Sequence, residues 1–329
     1  MPSSPALFRI ALLAVVAASL GAPILSTPAA AAENATPPAA QSATAHDCRI
    51  TDLMPDFWTF WRQAQETPRE RWPSLFRALV RERHAAVYDV VFKNLPMSED
   101  ELVGTSFGRM EPHVGTLGAL SAALSNSLPQ RIDSFRRDFP AFRCDVPVIF
   151  LYSAGAFDGA IRAVGEQRTL MFGLDVVARL HGEQGEPLYV HELFHLYHGQ
   201  QATPPGETEE RLFWSLWREG LATSVACGPN PSRASWTACG LPAVAEETGR
   251  APDLARLVAA ALDSTSQEDY ARFFLGGRES AEVPARSGYW IGYLVAQRAA
   301  RDQSVVALAR LGPEAVRPLI VEALSEIEK

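Results

Sequence analysis

Two histidines and a glutamate in one short segment have the types and spacing needed to hold a metal ion and to activate water. His191 and His195 are four residues apart, and Glu192 directly follows the first. On an α-helix this spacing places both imidazoles on one face, one turn apart, where they can share one Zn²⁺. Glu192 would then reach a metal-bound water as its general base. The alternative is a buried helix whose histidines are satisfied by neighbouring side chains.

A third ligand has to come from elsewhere in the chain. His198 faces the same way as His191, but seven residues of helix span roughly 10 Å, too far for one tetrahedral ion to bind both. Glu219 lies 24 residues after the second histidine, in a helical stretch, 211–226, that is otherwise largely apolar. A lone carboxylate in a core helix needs a partner, which favours Glu219 as the third ligand. The alternative is a solvated Glu219 beside Arg218.

These motifs resemble those of the gluzincins, the thermolysin-like clan of zinc metallopeptidases. The resemblance rests on His191-Glu192-x-x-His195, on Glu219-Gly220-x-Ala222, and on a stretch at 284–293 similar to one in a bacterial branch of predicted zinc-dependent proteases. It covers residues 145–300 loosely and implies that His191, His195 and Glu219 bind the zinc. Where thermolysin has an Asp that orients a zinc-binding histidine, this chain has Thr223, which would orient one less strongly.

The resemblance also implies an oxyanion donor and a mode of substrate binding. Thermolysin-like enzymes generally use a His or Tyr from the helical half of the molecule, and this chain has no histidine after His198. Tyr289, which follows a glycine within 284–293, is therefore the predicted donor, with Tyr293 on the same helical face as the alternate. Both tyrosines could instead pack in the core with Trp290. In this family an exposed strand binds extended peptide by β-augmentation.

The N-terminus is predicted to carry an export signal. Arg9 precedes an apolar run, and three alanines at 30–32 suit cleavage by signal peptidase. We expect residues 1–32 to be a signal peptide, and residues 33–47, rich in Ala, Pro, Ser and Thr, to be a disordered linker. The predicted location is periplasmic or secreted, with no stable membrane insertion after cleavage. An uncleaved membrane anchor is the alternative.

Four cysteines in an exported chain predict disulfides, and they allow three pairings. The short span between Cys227 and Cys239 contains a Gly-Pro-Asn-Pro turn, so we favour this pair, which leaves Cys48 with Cys144. The chain has no Cys-x-x-Cys, so a zinc site made of cysteines is not expected. Four reduced thiols are the alternative.

Hydrophobic patterning predicts an α+β fold that is mostly helical. The region 48–144 is expected to be helical, and the resemblance implies a zincin-like catalytic region over 145–329, with a small sheet, the metal-binding helix and a helical C-terminal part. Asp175 and His181 are expected to be ordinary loop residues, with a role behind the metal ligands as the alternative. The predicted segments are helices at 56–66, 73–91, 112–124, 129–139, 211–226 and 313–328, and strands at 146–152 and 168–173.

The net charge of −8 argues against nucleic acid and anionic membranes as partners. The sequence predicts a zinc-dependent peptidase, in which a zinc-activated water attacks a peptide or protein substrate with Glu192 as general base. One alternative is a non-catalytic, zinc-holding periplasmic binding or scaffold protein, which would have no use for Glu192. The other is a zinc amidase that acts on a non-peptide or cell-wall amide.

Overall fold

The computed structural model of the protein describes residues 48–93, 98–183, 185–204, 206–208, 210–241, 248–275 and 283–329. The predicted signal peptide and linker, residues 1–47, lie outside these ranges. About two thirds of the structure is helical, and one small sheet accompanies the helices. This confirms the predicted α+β, mostly helical class.

The described residues form helices and strands in the following order. The strands are β1 (Ile50–Asp52), β2 (Val148–Leu151), β3 (Gly159–Val164) and β4 (Gln167–Gly173). The helices are α1 (Met54–Ala64), α2 (Trp72–Phe76), α3 (Ala85–Val91), α4 (Glu99–Met110), α5 (Val114–Asp138), α6 (Leu174–Leu180), α7 (Glu186–Gln201), α8 (Leu212–Cys227), α9 (Arg233–Ala238), α10 (Ala251–Ala260), α11 (Gln267–Phe274), α12 (Ser287–Ala299), α13 (Val305–Leu308) and α14 (Pro313–Ile327).

The sheet is mixed and has the strand order β1-β2-β4-β3. β1, β2 and β4 run parallel, with Val148 opposite Leu170, while β3 returns antiparallel to β4 as a hairpin. β2 is buried along its whole length, as its continuous apolar run predicts. Both predicted strands are confirmed, with β2 shorter than expected. β1 and β3 were not predicted, because β1 is only three residues long and β3 is rich in small residues.

The boundaries of three helices predicted in the N-terminal region were wrong. The segment 73–91 is not one helix: a π-helical turn at Arg77–Arg81 separates α2 from α3. The segments predicted at 112–124 and 129–139 form the single helix α5, which continues through Pro129. Leu124, Leu128 and Ile132 are all buried at helical spacing across the proline. Packing of this face into the core outweighs the hydrogen bond lost at Pro129.

An aromatic cluster anchors the N-terminal helices to the end of β2. Phe57 of α1 stacks on Tyr152 with ring centroids 4.4 Å apart, and the hydroxyl of Tyr88 donates to the carbonyl of Tyr152 at 3.0 Å. The Tyr152 hydroxyl also lies 2.7 Å from Oγ of Ser106 in α4. These contacts fix where β2 ends, and therefore where the following loop, 152–158, begins its path toward β3.

Both predicted disulfides are confirmed. Cys48–Cys144 joins the residues that precede β1 and β2, and Cys227–Cys239 joins the ends of α8 and α9. Two disulfides fit an extracellular or periplasmic location. Within the described ranges, no helix combines the length and the apolar character required to cross a membrane.

Helices α8 and α12 pack backbone to backbone through two glycines. A Cβ on Gly220 would lie 2.3 Å from the carbonyl oxygen of Gly292, and a Cβ on Gly292 would lie 2.7 Å from that of Leu216. Any larger residue at either position would separate the helices. The glycine that follows Glu219 therefore sets how closely α8 approaches α12.

Candidate metal centre

Three predicted ligands converge at one point between α7 and α8. Nε2 of His191 and Nε2 of His195 are 2.9 Å apart, and each is 3.1 Å from Oε2 of Glu219. These residues form a group that could hold a metal ion. The histidines are half-buried and Glu219 is buried, so the carboxylate predicted to need a partner has two.

The local sequence explains how α7 presents this face. The helix starts after Gly185 with Pro187 in its first turn, a position where the missing proline N–H costs nothing. Leu188, Leu193 and Leu196 are buried, so the helix is fixed by apolar contacts around much of its circumference. The histidines then project from a rigid element toward Glu219 on α8.

The closeness of Glu219 to the two histidines sets its charge state. Burial alone would raise the pKa of Glu219, but the two histidines hold it well below its ordinary value. The carboxylate therefore stays ionised. Two imidazole nitrogens that face each other at 2.9 Å require a shared proton or a metal ion between them, since two lone pairs would repel.

His198 does not join this group, as its distance along the helix predicts. Its ring packs between Phe194 and Trp214, with centroids 5.9 and 5.6 Å away. The side chain is buried, and within the described residues its Nε2 has no hydrogen-bond partner. Burial lowers the pKa of His198 to about 3, so this histidine is neutral.

Glu192 lies beside the three candidate ligands and is not part of the group that they form. Its side chain is 7% exposed, and its carboxyl packs against the backbone at the start of β3. A Cβ on Gly159 would lie 2.6 Å from Cδ of Glu192, so only glycine leaves room for this carboxyl. Burial, with the nearby charges of Asp158 and Glu219, raises the pKa of Glu192 to about 7. The role of Gly159 was not predicted from the sequence.

Tyr289 and Tyr293 differ in position although they share one helical face. The Tyr289 ring lies in the first turn of α12, with its centroid 6.1 Å from that of His191. The hydroxyl of Tyr293 donates to the carbonyl of Gly228 at 3.2 Å, and its ring packs on Trp236. The structure therefore places the ring of Tyr289, the predicted donor, beside His191, and the hydroxyl of Tyr293 binds a backbone carbonyl elsewhere.

A charged cluster that the sequence did not predict lies next to Tyr289. Nε2 of His181 is 3.1 Å from Oδ2 of Asp158, and its Nδ1 is 3.0 Å from the carbonyl oxygen of Ala238. The guanidinium of Arg286 lies 3.7 Å from the same Asp158 oxygen and 4.8 Å from the centre of the Tyr289 ring. The presence of Arg286 and Tyr289 in one motif-like stretch was the only sequence signal for this cluster.

The expectation that Asp175 and His181 are ordinary loop residues was wrong. Asp175 lies in α6 and is 4% exposed, and its carboxylate accepts hydrogen bonds from Ser153 and Gly155. His181 is 6% exposed and holds Asp158. Both are buried because the loop 152–158 folds over α6, a long-range contact that local sequence does not encode.

Among the described residues, Thr223 forms no direct bond to either histidine of the candidate metal group. Its Oγ1 is buried without a hydrogen-bond partner among the described residues, and so is Nδ1 of His195. The helices that carry the two side chains, rather than a direct bond between them, fix the His195 ring.

No family model, curated protein or solved structure matches this chain. Function therefore has to be inferred from the residues of the site and from the motifs that they form.

Proposed function

We propose that the chain is an exported zinc metallopeptidase related to the gluzincins. The observation that carries this proposal is the meeting of His191, His195 and Glu219 from two helices, with Glu192 buried beside them. Four functional positions predicted from two separate motifs thus occupy one place in the fold. A helix core without such a function would gain nothing from burying this many ionisable groups.

The donor set fits zinc. Two imidazole nitrogens and one carboxylate oxygen are the ligands of one class of catalytic zinc site, and three protein ligands leave one position open. Ligand atoms about 2.0–2.1 Å from a tetrahedral ion lie roughly 3.4 Å apart, close to the separations between these three residues. Zinc bound here would supply Lewis-acid activation of a water and of a carbonyl oxygen.

Glu192 is suited to move the proton in this reaction. Its carboxyl is withdrawn from solvent and accepts a proton near neutral pH, so it can take one from the attacking water. The same group then gives that proton to the leaving amine. Gly159 permits this placement, because any side chain there would occupy the volume of the carboxyl.

Tyr289 and β3 are suited to bind the substrate. Tyr289 lies next to His191, where its hydroxyl can donate to the developing oxyanion. β3 is an edge strand that begins at Gly159, beside Glu192, so its free side offers backbone groups to an extended peptide. The geometry of an edge strand next to the general base supports a peptide substrate over a small amide.

The test combines metal analysis with peptide hydrolysis. We expect about one zinc per mature chain, lost in His191→Ala, His195→Ala and Glu219→Ala. Glu192→Gln should keep the zinc and lose turnover by about 10²-fold or more, as for removal of a general base. The matched control is Glu186→Gln, on the exposed start of the same helix, which should change neither.

The outcomes separate the competing functions. Zinc-loaded wild-type protein that cleaves no peptide in a broad library, while Glu192→Gln binds zinc equally well, would favour a binding or scaffold protein. Hydrolysis of a cell-wall amide but of no peptide would favour an amidase. Protein that binds no zinc, or that keeps its zinc in Glu219→Ala, would contradict the ligand assignment.

A further inference from the structure

A second polar site lies outside the metal centre, in a small pocket between α4, α6 and the loop 152–158. Arg109 of α4 and Arg179 of α6 both line it, together with Gly155 from the loop and Asp175 from the start of α6. Nothing in the proposed peptidase reaction uses either arginine.

The two arginines have unusual surroundings for cations. Arg179 is half-buried and Arg109 is exposed, and within the described part of the chain neither forms an ion pair or a hydrogen bond. Burial lowers the pKa of Arg179, and the like charge of Arg109 adds to this effect, while the charges of Asp175 and, more weakly, Asp158 oppose it. A partly buried guanidinium beside a second one is costly unless an anion compensates for it.

Asp175 compensates for these charges only in part. Its two carboxylate oxygens accept hydrogen bonds from the backbone N–H and the hydroxyl of Ser153 and from the N–H of Gly155, at 2.7–3.0 Å. These bonds point the carboxylate toward the loop and occupy much of its acceptor capacity. Two guanidinium groups and one carboxylate leave a net positive charge in this pocket, within a chain of net charge −8.

The loop wall of the pocket is fixed in an uncommon conformation. Ala154 and Gly155 have φ angles of 54° and 84°, and a positive φ is unfavourable for alanine. Such backbone is found where surrounding contacts require it, often at binding sites. Three residues further on, the same loop reaches Asp158 and then Gly159, which packs against Glu192. The surrounding contacts therefore hold this wall of the pocket in place, and the wall adjoins the segment that packs against Glu192.

We propose that Arg109 and Arg179 form a binding site for a small oxyanion, either inorganic phosphate or a carboxylate group of a substrate. Guanidinium groups present planar N–H donors that match two oxygens of such an anion. An anion between them would remove their mutual repulsion and supply the missing counter-charge. Phosphate binding at this site requires neither zinc nor peptidase activity, whereas binding of a substrate carboxylate rests on the proposed function.

The first experiment is calorimetric titration of the mature protein with inorganic phosphate, at constant ionic strength balanced with chloride. We expect saturable binding that weakens by at least about tenfold in Arg179→Met and in Arg109→Met, since each variant loses a charged hydrogen-bonding partner. Arg137→Met, an exposed arginine of α5, is the matched control and should bind as wild type does. If Arg179→Met fails to fold, the exposed Arg109→Met decides.

A second experiment distinguishes the source of the anion. Hydrolysis of paired peptides that carry Glu or Gln near the cleaved bond is compared between wild type and Arg179→Met. A wild-type preference for Glu that disappears in the variant identifies a substrate carboxylate. Phosphate binding without such a preference identifies a free anion. The proposal is overturned if wild type shows no preference for Glu and also binds no phosphate. It is likewise overturned if there is no such preference and both arginine variants bind phosphate as wild type does, as they would if phosphate bound the metal.

Discussion

Replacing His198 by phenylalanine should make the protein less sensitive to mild acid without affecting the metal. His198 is buried between Phe194 and Trp214, and its pKa is lowered to about 3 by burial. In the unfolded chain the pKa of a histidine is about 6.5. Between these values the unfolded state binds a proton that the folded state does not. Stability therefore rises with pH across this window and is lost as the pH falls below about 6.5.

The magnitude follows from the two pKa values. At pH 5 an unfolded histidine is almost fully protonated, and the resulting loss in the free energy of unfolding is about 2 kcal/mol relative to neutral pH. This figure depends little on the folded pKa, because at pH 5 a group with a pKa of about 3 is neutral in the folded protein. Phenylalanine keeps an aromatic ring in the same site and has no proton to bind.

The assay is urea unfolding of wild type and His198→Phe at pH 7 and pH 5, in the presence of a chelator. We expect wild type to lose about 2 kcal/mol more than the variant between the two pH values. Both proteins contain all the other titrating groups, His191 and His195 included, so the effects of those groups on the free energy of unfolding cancel in the comparison. Equal losses in the two proteins would refute the reasoning. Without chelator, His198→Phe should keep its zinc, and loss of zinc would make His198 a ligand after all.

Three further predictions concern the surroundings of the metal centre. Gly159→Ala places a methyl group in the volume of the Glu192 carboxyl, so turnover should fall by about tenfold or more with zinc content and melting temperature little changed; unchanged turnover would separate Glu192 from the reaction. Burial would raise the pKa of Asp158, but His181 and Arg286 hold that pKa well below its ordinary value. The ionised carboxylate therefore adds to the free energy of unfolding above about pH 4, and this contribution is lost in stronger acid. Asp158→Asn should therefore lower the free energy of unfolding by about 2–4 kcal/mol at pH 7, and the difference in urea unfolding should shrink toward pH 3. Tyr289→Phe should keep its zinc and its melting temperature, and its turnover of the best peptide of the library should fall by about 10²-fold. Unaltered kinetics would mean that Tyr289 only packs in the core.

The candidate ligands on α7 could be predicted because their relation is local. A spacing of four residues on a helix brings two side chains together whatever the rest of the fold does, so His191 and His195 needed only a helix. The exclusion of His198 follows from the same helical geometry. Glu219 could be proposed because a carboxylate in an apolar helix needs a partner, and the partners turned out to be the two histidines.

The fold class was also accessible from the pattern of apolar residues, but element boundaries were not. Two cases show why: α5 is longer than predicted, and the helix predicted over 73–91 is divided. Helix α5 continues through Pro129, although proline normally ends a helix, because its buried face packs in the core. The segment 73–91 has a continuous helical pattern and is nevertheless interrupted. Such outcomes depend on which surfaces meet, and a local window of sequence does not contain that information.

The surroundings of the site were decided only by the tertiary structure. Helical spacing places Tyr289 and Tyr293 on one face, and the sequence favoured Tyr289 only through the glycine before it and the motif that contains it. The packing of α12 decides where the two side chains lie: the ring of Tyr289 is beside His191, and the hydroxyl of Tyr293 donates to the carbonyl of Gly228. Asp158, His181 and Arg286 belong to three distant segments that acquire a common role only when the loop 152–158 folds over α6. Residues brought together across such distances leave no periodic pattern in the chain, so their chemistry becomes visible only when the fold is known.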